Sequence, residues 1–339
     1  MKDNLEDLMP VVTIGITAYN RPDLLREAVL SIVNQTYSNF ELLIGNDYIK
    51  TPVTFDTLGI DPDSRVKILN YSSNMGEISN MNHLLDLART EWFVWMADDD
   101  VFHQSFLEMT LNSISAGEEV TAVYSGYTAG SVLNSDFFND IDVRRSVNFS
   151  TSVFISKYAS RELELIGCYG LMKTEKLKAI GGMPSLGSSF GPYSDTLVPI
   201  LLSKFGSINY LKSPLCFLRT HDKSLSVSSS EIEAYKSAET DFLTELTNVC
   251  RTVNNFNIDQ CIFDMVSWFR DNEFSVISRN NSISRARVMI SFIVYQFKNN
   301  YSRISSRYWF RFTLSNVKFL TVVVINSINK KFGSKIALY

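Results

Sequence analysis

Three carboxylates stand in a row at Asp98, Asp99 and Asp100, directly after an uncharged stretch rich in aromatic and β-branched residues, Trp92–Ala97. Adjacent carboxylates repel one another unless a cation or hydrogen-bond donors compensate, and such a run suits a hard divalent metal. The same triplet would serve equally as a solvated acidic turn, and on its own it leaves both readings open. A further acid, Asp195, opens an apolar stretch that runs through Leu197, Leu201 and Leu202 to Phe205 before Gly206. A carboxylate in a first helical turn is favoured by the helix dipole. That suits a general base and an ordinary N-terminal helix residue alike.

These residues need elements to hold them. The uncharged run before the triplet predicts a strand buried on both faces of a parallel sheet, and ligands of open α/β sheets gather at the carboxyl ends of such strands. Residues 11–17, 40–45 and 66–69 predict three more strands, ending at Ala18-Tyr19-Asn20-Arg21-Pro22, at Asn46-Asp47 and near Asn74-Met75-Gly76. With Asn20 as N-cap and Pro22 in the first turn, helical spacing continues through Leu24, Leu25, Ala28, Val29, Ile32 and Val33, and a second helix is predicted over about 78–88. Strand ends that stop at polar residues and glycine would share one sheet edge.

Further on, residues 106–114 predict a helix and 120–127 a strand, while 131–160 shows no clear period and reads as loop or acceptor-side structure. Residues 208–211 and 215–218 are strand-like. Serines at 228–230 mark a hinge, and helices are expected near 231–251, 258–276, 285–297 and 302–326. The expected domains are therefore 1–228, an α/β catalytic body, and 229–339, a helical, basic region.

The 339 residues, 45% hydrophobic and 20% charged, are those of a globular chain, more readily two lobes than one. Cys168, Cys216, Cys250 and Cys261 lack metal-ligand spacing and read as buried thiols of a reducing compartment. Residues 1–10 are acidic without an apolar signal core, which points to the cytoplasm. The net charge of -4 conceals a division, because residues 280–339 hold ten of the 32 basic residues and none of the 36 acidic ones. Arg303, Arg307 and Arg311 recur every four residues among Tyr308, Trp309, Phe310 and Phe312. No apolar run is long enough to span a bilayer, so the tail is read as resting on an anionic membrane surface, peripheral to the inner face of the plasma membrane. Packing against the catalytic lobe is the plainer alternative. No nucleic-acid-binding motif accompanies the charge, so nucleic acid is not an expected partner.

Taken in order, Ala18-Tyr19-Asn20-Arg21, residues 41–47, Asn74-x-Gly76 with Asn80 and Asn82, Asp98-Asp99-Asp100, Gly181-Gly182, Ser194-Asp195 and Arg219-x-His221 with Ser224 and Ser226 resemble the family 2 glycosyltransferases. The resemblance covers about residues 11–226. It implies a Rossmann-like GT-A sandwich with a mainly parallel central sheet, followed here by the α-helical C-terminal region. It also implies an inverting transfer from a nucleotide-diphosphate-sugar donor to a hydroxyl of a glycan or polyprenyl-linked acceptor, of the surface polysaccharide or O-antigen type.

By the same resemblance Ala18, Tyr19, Arg21 and Asp47 hold the nucleotide, with Asn46 standing where relatives commonly carry a carboxylate. Asn74, Gly76 and Asn80 lie near the donor, and Asp98 and Asp99 approach it. Asp98, Asp100 and His221 bind Mn²⁺ or Mg²⁺, and Asp195 is the catalytic base. His83 and His103 are read as structural. Relatives often have Glu-Asp where this chain has Ser194-Asp195. Two other functions compete: a sugar nucleotidyltransferase, disfavoured because no glycine-rich loop follows the first strand, and an inactive assembly partner at the membrane.

Overall fold

The computed structural model describes residues 10–115, 117–139, 146–188, 191–221 and 232–279. Strands β1 (Val12–Ala18), β2 (Phe40–Asn46), β3 (Val66–Asn70) and β4 (Trp92–Ala97) form a parallel block in the order β3-β2-β1-β4. β1 and β4 are buried on both faces, as their uncharged sequences require. Thr13, a polar residue inside β1, meets the side chains of Glu41 and Thr90 at 2.8 and 2.7 Å, so its hydroxyl is satisfied.

Register fixes the site. Ala18 lies opposite Asn46, Asn46 opposite Asn70, and Thr17 opposite Ala97, so the chain leaves all four strands along one edge. Helix α1 (Pro22–Val33) follows β1 and buries Leu25, Ala28, Val29 and Ile32. Its cap differs from expectation: Arg21 occupies the N-cap position, while Asn20 takes a left-handed turn at φ +54° that the short polar side chain tolerates. A short helix α2 (Phe55–Leu58) and then α3 (Glu77–Leu87) complete this half.

The second half of the sheet is mixed. It contains β5 (Val101–Phe102), α4 (Phe106–Asn112), β6 (Val120–Gly130), β7 (Val147–Phe149), α5 (Thr151–Ala159), β8 (Leu171–Lys173), α6 (Thr174–Ala179), α7 (Ser194–Leu202) and β9 (Ser207–Arg219). β8 runs antiparallel between β4 and β6, β9 is parallel to β6, and β5 and β7 pair antiparallel with β9. Two expectations are corrected. The stretch 131–160 contains a helix, α5, whose buried Phe154, Ile155, Tyr158 and Ala159 give a period too short to stand out among polar neighbours. The two strands read near 208 and 215 are one, because Lys212-Ser213-Pro214 forms a bulge opposite Gly126 that leaves the ladder intact on either side.

Helices α8 (Ile232–Arg251) and α9 (Ile258–Arg279) lie close to their expected bounds. Among the described residues, Ala234–Asn254 clusters with the sheet-bearing unit, and residues from Asn255 form a second unit. The stripe Tyr235, Ala238, Phe242, Leu246 and Val249 is buried, and the Tyr235 ring stands edge-on to Tyr193 at 5.6 Å. No helix among the described residues is long and apolar enough to cross a membrane. Ser224, Ser226, the serine hinge, the two helices expected within 285–326 and the basic tail lie outside the described residues.

Candidate active site

At the open edge, the ring of Tyr19, half exposed, stands edge-on to Tyr48 with centroids 5.3 Å apart. The carbonyl of Ala18 accepts the backbone N–H of Asp47 at 2.9 Å, which ties the ends of β1 and β2 together. Both carboxylate oxygens of Asp47 are engaged, accepting from the backbone N–H of Met75 at 2.6 Å and of Gly76 at 2.8 Å. Asn74 Oδ1 also accepts from Gly76 N–H at 2.9 Å, and Gly76 turns at φ +82° as the N-cap of α3. Asp47 thus places negative charge where the helix dipole favours it.

Asn46 and Asn80 are interior. Asn46 Nδ2 donates to Thr51 O at 3.0 Å and Asn70 Oδ1 at 2.8 Å, locking the loop after β2. Asn80 Nδ2 donates to Gly45 O at 2.9 Å and its Oδ1 accepts from the Tyr71 hydroxyl at 3.1 Å. Asn80, expected beside the donor, is almost wholly buried and spends its amide fastening α3 to β2. Asn82 does similar work at longer range: its side chain exchanges hydrogen bonds with both backbone groups of Met183 at 2.7 and 3.0 Å. That contact needs Gly182, at φ +75°, where a Cβ would run into Asn82 Oδ1. His83 and His103 sit in ring contacts with Tyr71 and Phe137, in keeping with structural roles.

The acidic triplet is buried, and it is anchored residue by residue. Asp98 Oδ2 accepts from Tyr19 N–H at 2.8 Å. Asp98 Oδ1 lies 3.1 Å from Arg21 Nη2 but receives no hydrogen bond. Asp99 Oδ2 accepts from Arg21 Nη1 and meets His221 Nε2 at 2.9 Å. Asp100 accepts from Arg219 N–H at 2.7 Å and from the Tyr169 hydroxyl. Arg219 also reaches Asp99 O at 2.9 Å and Glu27 on α1 at 2.5 Å.

Burial pushes the carboxyl of Asp98 up to about 7, against the pull of Arg21 and the Tyr19 N–H. Burial and the neighbouring charge of Asp99 do the same to Asp100, also to about 7. The expected set Asp98, Asp100 and His221 is therefore not brought together. His221 faces Asp99, and both oxygens of Asp100 are held by protein donors in the turn that follows β4.

Asp195 lies in the first turn of α7, after Tyr193, a non-glycine residue in the left-handed region at φ +64°. Its carboxyl is raised by burial; the N–H groups of Asp195 and Thr196 and the Thr196 hydroxyl, 3.4 Å from Oδ1, pull the other way. Desolvation thus outweighs the helix terminus that sequence alone put first. The backbone around Asp195 is fitted closely. Pro199, four residues on, cannot donate to the Asp195 carbonyl, and a Cβ at Gly167 would collide with that oxygen. Gly167 opens the turn that carries Cys168 and Tyr169, so the turn whose Tyr169 holds Asp100 rests against the backbone of Asp195.

Two groups lie within electrostatic reach of both the acidic run and Asp195. Glu77, the first residue of α3, feels the charges of Arg21, Asp195 and Asp99, and Cys168 feels Asp195, Asp100 and Glu77. Neither was singled out from sequence. Glu77 could have been, since it directly follows Asn74-x-Gly76.

A hard divalent cation fits part of this arrangement. The buried, hydrogen-bond-free Asp98 Oδ1 and the adjacent Asp99–His221 pair offer oxygen and imidazole donors. No three carboxylate, imidazole or thiol groups among the described residues converge as a ready metal cage. A cation here would complete its shell from a diphosphate and water, as Mg²⁺ commonly does.

Residues 13–181 match the model of glycosyl transferase family 2. The chain belongs to that family. This glycosyltransferase is 24% identical over 268 residues to an uncharacterized glycosyltransferase of Rickettsia typhi, a match covering 78% of this chain and 81% of that protein. A Haemophilus influenzae glycosyltransferase is 31% identical over 118 residues, covering 34% of this chain and 36% of its own length. Among solved structures, the mannosyltransferase PcManGT of Pyrobaculum calidifontis with GDP-Man and Mn²⁺ superposes with a TM-score of 0.51 at 15% identity, covering 96% of this chain and 88% of that one. S. aureus TarS 1-349 with UDP-GlcNAc gives 0.50 at 14% identity, covering 86% and 89%. The fold of this transferase is accordingly the GT-A type.

Proposed function

We propose that this transferase moves a sugar from a nucleotide-diphosphate-sugar donor to a hydroxyl of a glycan or lipid-linked glycan, by single displacement with inversion. The observation that carries the reading is that one turn, Gly167–Tyr169, touches both acids: the Tyr169 hydroxyl meets Asp100, and Gly167 lies against the carbonyl of Asp195, so the acidic run and Asp195 are neighbours though nearly a hundred residues apart. A donor gripped at its diphosphate by the acidic run would thus present its sugar to Asp195.

In this reading the base rests by Tyr19 and Tyr48, on the loop that Asp47, Asn74 and Gly76 shape. Arg21 meets the diphosphate. Asp195 takes the proton of the acceptor hydroxyl as that oxygen attacks the anomeric carbon from the face opposite the diphosphate. Its raised pKa makes it a stronger base than a surface carboxylate. Mn²⁺ or Mg²⁺, held by Asp98, Asp99 and His221, would offset the charge developing on the leaving diphosphate. Asp100, tied to Tyr169 and Arg219, keeps the run in place. The nucleotide sugars bound in the two superposed structures, one of them with Mn²⁺, agree with this donor class.

Thermal-shift measurements against UDP, GDP, CDP, ADP and dTDP with Mn²⁺ or Mg²⁺ test the reading. A rise in Tm with one diphosphate, dependent on the cation, is expected; no response to any of them would end it. The basic tail, ten Lys or Arg without one acid, supports a position on the inner face of the plasma membrane beside a lipid-linked acceptor.

A further inference from the structure

Among the described residues no hydrogen-bond donor or salt-bridging cation pairs with the Glu77 carboxyl. Glu77 heads α3 directly after Gly76, whose N–H is held by Asp47 on the nucleotide side of the cleft. The next residue, Ile78, packs at the turn before Asp195: a Cβ on Gly191 would stand 2.7 Å from Ile78 Cδ1 and 2.5 Å from Ser194 Oγ. The first turn of α3 therefore spans from the residues assigned to the nucleotide to those flanking the assigned base. Arg21 attracts Glu77, while Asp195 and Asp99 repel it. Its side chain is open to solvent, yet protein surrounds it closely enough to push its carboxyl up to about 7, chiefly by desolvation. Gly76, tied to Asp47, and Ile78, beside Gly191 and Ser194, thus bracket Glu77 between the two ends of the site.

Whatever lies between a diphosphate at Arg21 and an attacking oxygen at Asp195 is the transferred sugar. A carboxylate at that position, once ionised, accepts hydrogen bonds from hydroxyls, two at once from a vicinal pair, and repels another carboxylate. We propose that Glu77 is the sugar-recognition residue of this transferase: it accepts hydrogen bonds from the donor's sugar hydroxyls and restricts the donor to uncharged sugars with free hydroxyls. The proposal rests on the transferase reading above and deepens it.

The test separates the two. Titration calorimetry with Mn²⁺ compares wild type, Glu77→Gln and Glu77→Ala, each against the nucleoside diphosphate found in the thermal-shift screen and against its hexose and hexuronic acid conjugates. Both variants remove a partnerless, exposed side chain, and a thermal melt checks that they fold. The expected result is unchanged affinity for the bare diphosphate and about tenfold weaker binding of the hexose conjugate, the loss of a charge-assisted hydrogen bond. The hexuronic conjugate, rejected by wild type, should gain affinity in Glu77→Gln. Equal losses for diphosphate and hexose conjugate, or no loss for either, would overturn the proposal while leaving the transferase reading in place. No binding of any diphosphate by folded wild type would remove both.

Discussion

Arg21 Nη2 lies 3.1 Å from Asp98 Oδ1, a buried oxygen that receives no hydrogen bond. The same guanidinium is bonded to Asp99, so one partly exposed cation balances two buried carboxylates. Removing it leaves that charge uncompensated. Arg21→Met should cost about 1–3 kcal/mol, less than for a fully buried pair because Arg21 keeps some contact with water. Thermal melts should show a lowered Tm, and added Mn²⁺ should recover more of it in the variant than it adds to wild type. A loss that Mn²⁺ leaves untouched would argue against a cation between these acids.

Asp195→Asn keeps the size and position of the side chain and removes its basicity. Transfer should fall about a hundred- to ten-thousandfold while diphosphate affinity stays within about twofold. Because burial raises this carboxyl, transfer by wild type should increase with pH through a midpoint above the usual aspartate range. Rate against pH, measured with saturating donor, checks both statements.

Glu77 gives a stability signature with a definite sign. Its carboxyl sits at about 7 in the fold against an ordinary 4.5, so between those values the folded state keeps a proton that the unfolded chain has released. Unfolding free energy therefore falls as pH rises across that window and levels off above about 7. Glu77→Gln removes this contribution. Its Tm should exceed that of wild type at pH 8 and converge with it near pH 4.5, which melts across a pH series without ligand would detect.

Gly76 turns at φ +82°, where a side chain is strained, and open space around its Cβ position means that strain is the whole effect. Gly76→Ala should cost about 1–2 kcal/mol by urea denaturation. Asp47→Ala leaves the Met75 N–H before α3 without its acceptor and the Gly76 N–H with Asn74 alone, and should cost a similar amount while weakening diphosphate binding.

A chain ended after Ser278 lacks the basic tail. In vesicle flotation it should no longer rise with anionic lipid, while the full chain should do so and be released by salt. Equal flotation of both would assign the membrane contact elsewhere.

Apolar runs marked β1, β2, β3 and β4, and β1 and β4 carry no charge at all because a doubly covered strand excludes it over its whole length. Ser194-Asp195 before an apolar stretch marked the start of α7, and the ordered motifs from Ala18 to His221 marked the family. Sequence spacing could not say which carboxylate meets which partner. Asp99, not Asp100, faces His221, because the local path of a buried turn decides where each side chain points. It gave Asn80 to the ligand, where packing sends its amide to Gly45 and Tyr71. It passed over Glu77, Gly167 and Tyr169, whose importance comes from contacts across many residues of separation. Hydrophobic pattern is a property of neighbouring residues, so it survives in one dimension; the balance of burial against compensating charge at Asp98, Asp100 and Asp195 depends on what the whole fold brings within a few ångströms.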